Sequence, residues 1–106
     1  MESRAQWTPF VGDKLEALYR AALDRWGADL QADMAVEEMA ELTKALIKFR
    51  RFPTDKTRAA VANEIADVEI MLEQLRMIFR NDTSVEMARA RKLARLETRL
   101  LEGDST

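Results

Sequence analysis

Helix-breaking residues are scarce in this chain, and their positions limit what it can fold into. There are three Gly and two Pro, most of them where a helix would begin or end. Thr8 followed by Pro9 reads as an N-cap with Pro at the first helical position. The helix it opens runs to about Trp26, where Gly27 ends it. Asp29 is placed to cap a second helix that carries to about Arg51 and meets Pro53. Thr54 or Asp55 opens a third, reaching about Arg80. Asn81-Asp82 makes a turn, and Thr83 with Glu86 has capping-box spacing for a fourth helix ending near Gly103. Strand signals are absent. Four helices with short connections specify an all-α, four-helix bundle-like protomer. A length of 106 residues suits one domain, 1–106, with a modest core and a frayed tail over about 104–106.

Composition narrows the chemistry. Hydrophobic residues make up 47% and charged residues 34%, the balance of a globular protein. A net charge of −2 argues against a sequence-independent binder of nucleic-acid polymers, which needs a basic surface; a single nucleotide stays open as a ligand. The absence of Cys removes disulfides and thiol nucleophiles, and the absence of His removes the commonest general base and zinc ligand. The opening MESRAQWTPF has no apolar signal core, and no apolar run approaches membrane-spanning length. The expectation is a cytoplasmic protein with no membrane partner.

The stretch NEIADVEIML, 63–72, then poses a problem. At about 100° per residue, Val61, Ile65, Val68, Leu72, Leu75 and Phe79 form one stripe of the third helix. Glu69, Glu73, Arg76 and Arg80 share the wettable side. Glu64 instead projects between Met71 and Leu75, inside the apolar arc, and Asp67 lands at its edge beside Ile78. Ala66, Ile70 and Met77 make a second apolar line, so the polar window is narrow. Either a second chain covers that line, giving a homodimer or a dimer of dimers, or Met and Ala are tolerated at the surface.

The second helix repeats the oddity. Val36, Met39, Ala40, Thr43, Leu46 and Ile47 make its stripe, while Glu38 lies near Leu42, Ala45 and Phe49. Residues three apart are neighbours on a helix, so Glu38 with Glu41 and Glu64 with Asp67 are carboxylate pairs. In an antiparallel hairpin of helices two and three the pairs meet at one level. A buried unpaired charge costs several kcal/mol against a domain stability of about 5–15 kcal/mol. No Arg or Lys lies on these inward arcs. A divalent cation would neutralise the acids, and an all-oxygen ligand set suits Mg²⁺, or Mn²⁺ in its place, rather than zinc. A ferritin-like di-iron site needs Glu-x-x-His motifs, which a chain without His lacks. The alternative is a salt-bridge network drawn from the first or fourth helix.

VEEMAELTKAL followed by NEIADVEIMLEQL resembles the MazG-like all-α nucleoside triphosphate pyrophosphohydrolases. Their signature is Glu-Glu-x-x-Glu, a spacer, then Glu-x-x-Asp; here these are Glu37, Glu38, Glu41, Glu64 and Asp67. The resemblance covers helices two and three. RKLARLETRL is similar to a basic fourth helix of that family, in which Lys is followed by Asn four residues on and Arg three beyond. Lys92 and Arg99 fit, and Leu96 stands at the Asn position.

The resemblance implies a Mg²⁺-dependent hydrolase acting on a phosphoric anhydride, releasing nucleoside monophosphate and pyrophosphate in a nucleotide house-cleaning role. Glu38, Glu41, Glu64 and Asp67 would be metal ligands, and Glu37 would support them or orient water; these five form the implied catalytic set. A related phosphoribosyl-ATP pyrophosphohydrolase has similar acids, and a non-catalytic helical interaction module is the reading outside enzymology. Lys44 and Lys48 either reach phosphates or are solvated. Arg89, Arg91, Lys92 and Arg95 either clamp phosphates, with Arg99, or balance nearby Glu residues. Trp7 and Trp26 either stack on a base or, for Trp26, cap the core. Gln31 either reads a base edge or is solvated.

Overall fold

The computed structural model describes residues 12–103 and carries them almost entirely in four helices: α1 (Gly12–Trp26), α2 (Ala28–Arg51), α3 (Asp55–Phe79) and α4 (Asp82–Glu102). The all-α class is observed, and no strand occurs among the described residues. The Thr8-Pro9 cap, Trp7 and the 104–106 tail lie outside them. The residues group into two compact units, one reaching Leu75 and one starting at Arg76. No helix among the described residues is long and apolar enough to cross a membrane.

Gly27 alone joins α1 to α2. Its φ of +88° is open to Gly and strained for L-residues, so the chain reverses in one residue. Gly27 closes α1 by donating its N–H to the Leu23 carbonyl (2.8 Å) and opens α2 by accepting from Gln31 (3.1 Å). The N-cap of α2 is therefore Gly27 and not Asp29. Asp29 falls in the first turn, where its charge complements the helix dipole.

The start of α3 is held by a reciprocal cap. The Thr57 N–H donates to Thr54 Oγ1 (3.1 Å), the Thr54 N–H donates to Thr57 Oγ1 (3.0 Å), and the Thr57 hydroxyl donates to the Phe52 carbonyl (2.6 Å). Thr57 takes the place usually held by Glu in a capping box, and it is buried. Thr57→Val keeps the shape and strands these groups. It should cost about 1–2 kcal/mol, a fall of roughly 4–8 °C in Tm per kcal/mol; an unchanged melt would show the cap to be dispensable.

The capping box expected at Thr83 and Glu86 does not form. Asn81 is the N-cap of α4, without a side-chain bond, and α4 begins at Asp82. Glu86 is drawn instead to Arg76, whose Nη1 donates to Glu86 Oε2 (2.6 Å) and Asp82 Oδ1 (2.9 Å). Two charge-assisted bonds outcompete one backbone cap.

In the first unit α2 and α3 run antiparallel. Gln31 meets Gln74, Glu38 meets Asp67 and Glu64, and Arg58 stacks over Phe49 with 5.1 Å to the ring centroid. Tyr19 of α1 donates its hydroxyl to Glu73 of α3; burial, then that carboxylate, pushes the phenol well above its ordinary range. The sheltered positions of α2 include Gln31, Ala35, Glu38, Leu42, Ala45 and Phe49, with Ala32 and Met34 beside them; those of α3 include Thr57, Val61, Glu64, Val68, Met71 and Leu75, with Gln74 and positions 76–78 beside them. Both series alternate steps of three and four, the spacing of a helix–helix seam.

On α3 only Val61, Val68 and Leu75 of the stripe expected from the sequence lie in this seam, and on α2 none of it does. Val36 (63% exposed), Leu46 (48%), Ile65 (43%) and Leu72 (43%) stay open, with Met39 and Ile47. Each helix has two apolar lines, and periodicity alone does not say which one its neighbour in the same chain covers. The line that does so on α2 carries Ala35 and Ala45, small enough for close approach.

Candidate metal centre

Because Glu38 and Glu64 occupy seam positions, the α2–α3 hairpin turns them toward each other. Asp67, one turn past Glu64, stands at the open edge. One carboxylate oxygen from each of the three lies within 4.8 Å of the others. Glu38 and Glu64 are half-buried and Asp67 is exposed. No Lys or Arg of α2 or α3 forms an ion pair with any of them.

This leaves the acids in an unfavourable state by themselves. Glu64 Oε1 is buried without a hydrogen-bond partner, and an unmade bond there costs the desolvation of the oxygen. Burial first, then the carboxylates of Asp67, Glu64, Glu41 and Glu37, holds the Glu38 carboxyl above its ordinary 4.5. An orphaned oxygen inside a cluster of hard anionic donors, with no imidazole or thiolate, fits Mg²⁺ or Mn²⁺.

Of the four ligands expected, three come together. Glu41 lies one turn along from Glu38, outside the triad; it is exposed and pairs with Lys44 at 3.8 Å. Glu37 is exposed and also outside the triad. Both remain close enough to act on the charge of Glu38.

Two of the clefts in the first unit take most of their lining from α2. One, of about 310 Å³, is lined by Trp26, Leu30, Gln31, Met34 and Met71. Gln31 is buried there, not solvated, and its Nε2 donates to Gln74 Oε1 at 2.7 Å. Trp26 is 55% exposed with the Arg25 guanidinium 5.9 Å from its ring centroid, so it walls the cleft rather than capping the core. The other, also about 310 Å³, is lined by Lys44, Ile47, Lys48, Arg51 and Phe52.

On α2, Met34, Glu41 and Lys48 follow one another at steps of seven residues. They share one line along the helix, about 10 Å apart at each step. Lys92 and Arg95 are exposed and Arg99 half-buried on α4, in the second unit. Sequence reasoning missed Gln74 and Arg51. Gln74 stands seven residues beyond Asp67, a spacing that could have marked it. No family model, curated protein or solved structure matches the chain.

Proposed function

We propose that this protein is a Mg²⁺-dependent nucleoside triphosphate pyrophosphohydrolase, releasing nucleoside monophosphate and pyrophosphate. The observation that carries the reading is the triad of Glu38, Glu64 and Asp67, with a buried oxygen of Glu64 that no group among the described residues satisfies. These three residues would hold the cation. When bound, Mg²⁺ supplies positive charge to the phosphoryl oxygens. Glu41, exposed beside the triad, takes a proton from water. The water oxygen bonds to phosphorus, the P–O bond of the α–β bridge breaks, and the bridging oxygen leaves with the departing group. No side-chain nucleophile is required, which suits a chain without Cys or His. The cleft of Trp26, Leu30, Gln31, Met34 and Met71 offers an apolar wall and a buried amide pair, suited to a planar base with polar edges. Soluble nucleotides make the cytoplasm the place of action. A second copy of the chain would cover the open face of the α2–α3 hairpin.

The test is a panel of ribo- and deoxyribonucleoside triphosphates, with phosphoribosyl-ATP as a further substrate, in Mg²⁺ and in EDTA. The expected outcome is monophosphate and pyrophosphate from at least one nucleoside triphosphate, abolished by EDTA and restored by excess Mg²⁺. Turnover of phosphoribosyl-ATP alone would move the enzyme to that substrate. Release of no pyrophosphate from any of them would leave a non-catalytic helical module.

A further inference from the structure

We infer that the cleft of Lys44, Ile47, Lys48, Arg51 and Phe52 receives the distal phosphates of the substrate and holds pyrophosphate after cleavage. The nucleotide then lies with its base toward Trp26 and its phosphates toward the turn between α2 and α3. This rests on the pyrophosphohydrolase reading above.

The charge distribution points there first. From Lys44 to Arg58 the chain carries Lys44, Lys48, Arg50, Arg51, Lys56 and Arg58 against Asp55 alone, in a protein whose net charge is −2. Basic residues near a helix C-terminus complement the dipole, and Arg50 and Arg51 in the last turn of α2 both meet that description. Only Arg51 lines the cleft. Among the described residues neither Lys48 nor Arg51 has an acidic partner within ion-pair distance.

Position points the same way. Lys44 lines the cleft and pairs with Glu41, the acid one turn from Glu38. Lys48 lies on the line of Met34 and Glu41, about 10 Å beyond Glu41 along the helix. The same line thus passes a base-sized apolar cleft, the acids, and then cations. Ile47 and Phe52, both exposed, form the apolar part of the lining beside the cations. The Arg51 guanidinium can engage two phosphate oxygens at once.

The experiment titrates the whole protein with inorganic pyrophosphate, and separately with a nucleoside monophosphate, followed by calorimetry. It compares Lys48→Ala, Arg51→Ala and Arg50→Ala, three substitutions that remove one positive charge from the same stretch of helix. Mn²⁺-induced stabilisation, measured by melting, is recorded for each. Lys48→Ala and Arg51→Ala should each weaken pyrophosphate about tenfold. Arg50→Ala should change it less than twofold, monophosphate binding should hold, and all should keep the Mn²⁺ shift. Equal losses in all three variants, no measurable pyrophosphate binding, or loss of monophosphate in place of pyrophosphate would overturn the inference. If any of those came with an intact Mn²⁺ shift and active wild type, the pyrophosphohydrolase reading would stand. A wild type with neither Mn²⁺ shift nor turnover would remove that reading itself.

Discussion

Glu64→Gln should abolish nucleotide hydrolysis and raise the Tm of the metal-free protein. The two effects have one source. Glu64 has a buried oxygen that no donor among the described residues reaches, and its carboxylate comes within 4.8 Å of two others. Gln keeps the volume, removes the charge and brings an N–H₂ group that can donate to Glu38 or Asp67. Relief of that repulsion is worth about 1–2 kcal/mol, or roughly 4–8 °C per kcal/mol for a domain of this size. The same change would take a ligand from the proposed cation. Wild type should gain about 2.7 kcal/mol at a hundredfold excess of Mg²⁺ over Kd, and the variant should lose most of that gain. Melts of both proteins in EDTA and in Mg²⁺, beside a turnover assay, decide it. A variant that melts lower in EDTA and keeps the full Mg²⁺ shift would make Glu64 a structural acid.

Wild type should be at least a dimer, and Leu72→Glu combined with Met39→Glu should convert it to monomers. Met39 follows the seam residue Glu38 by one position, Ile65 follows Glu64, Leu46 follows Ala45 and Leu72 follows Met71. In an antiparallel pair the residue after a seam position turns to the same side on both helices. Asp67 and Glu41, three beyond their seam glutamates, turn to the opposite side. The hairpin therefore has an apolar face formed by Val36, Met39, Leu46, Ile65 and Leu72, all exposed, and an acidic face behind it. A two-fold interface needs about 800 Å² from each partner, and a face several turns long on two helices offers that scale of area. Light scattering at micromolar concentration should give at least twice 12.2 kDa for wild type and the single-chain mass for the variant. A monomeric wild type would sink the proposal.

The inward glutamates were legible because their phase conflicts with that of their charged neighbours, and phase needs only the sequence. The α3 start at Thr54 was legible for a similar local reason. What the sequence left ambiguous was which of two apolar lines makes the seam. Ile65 and Leu72 are as hydrophobic as Val68 and Met71, and the choice depends on how closely two backbones can approach, a property of the pair. Gln74 escaped, and the burial of Gln31 with it, because each satisfies the other across the seam; one buried amide is costly and two are not. The cap at Thr83 failed on competition from Arg76, a residue outside the window in which capping is read.

The single-residue join at Gly27 limits the chain by chirality. A Cβ built on Gly27 meets nothing within 4 Å, so bulk is no obstacle there. The obstacle is handedness: φ of +88° is strained for an L-residue and natural for its mirror image. A D-alanine placed at this position by chemical synthesis would enter the native turn freely, where L-alanine, with the same atoms, would strain it.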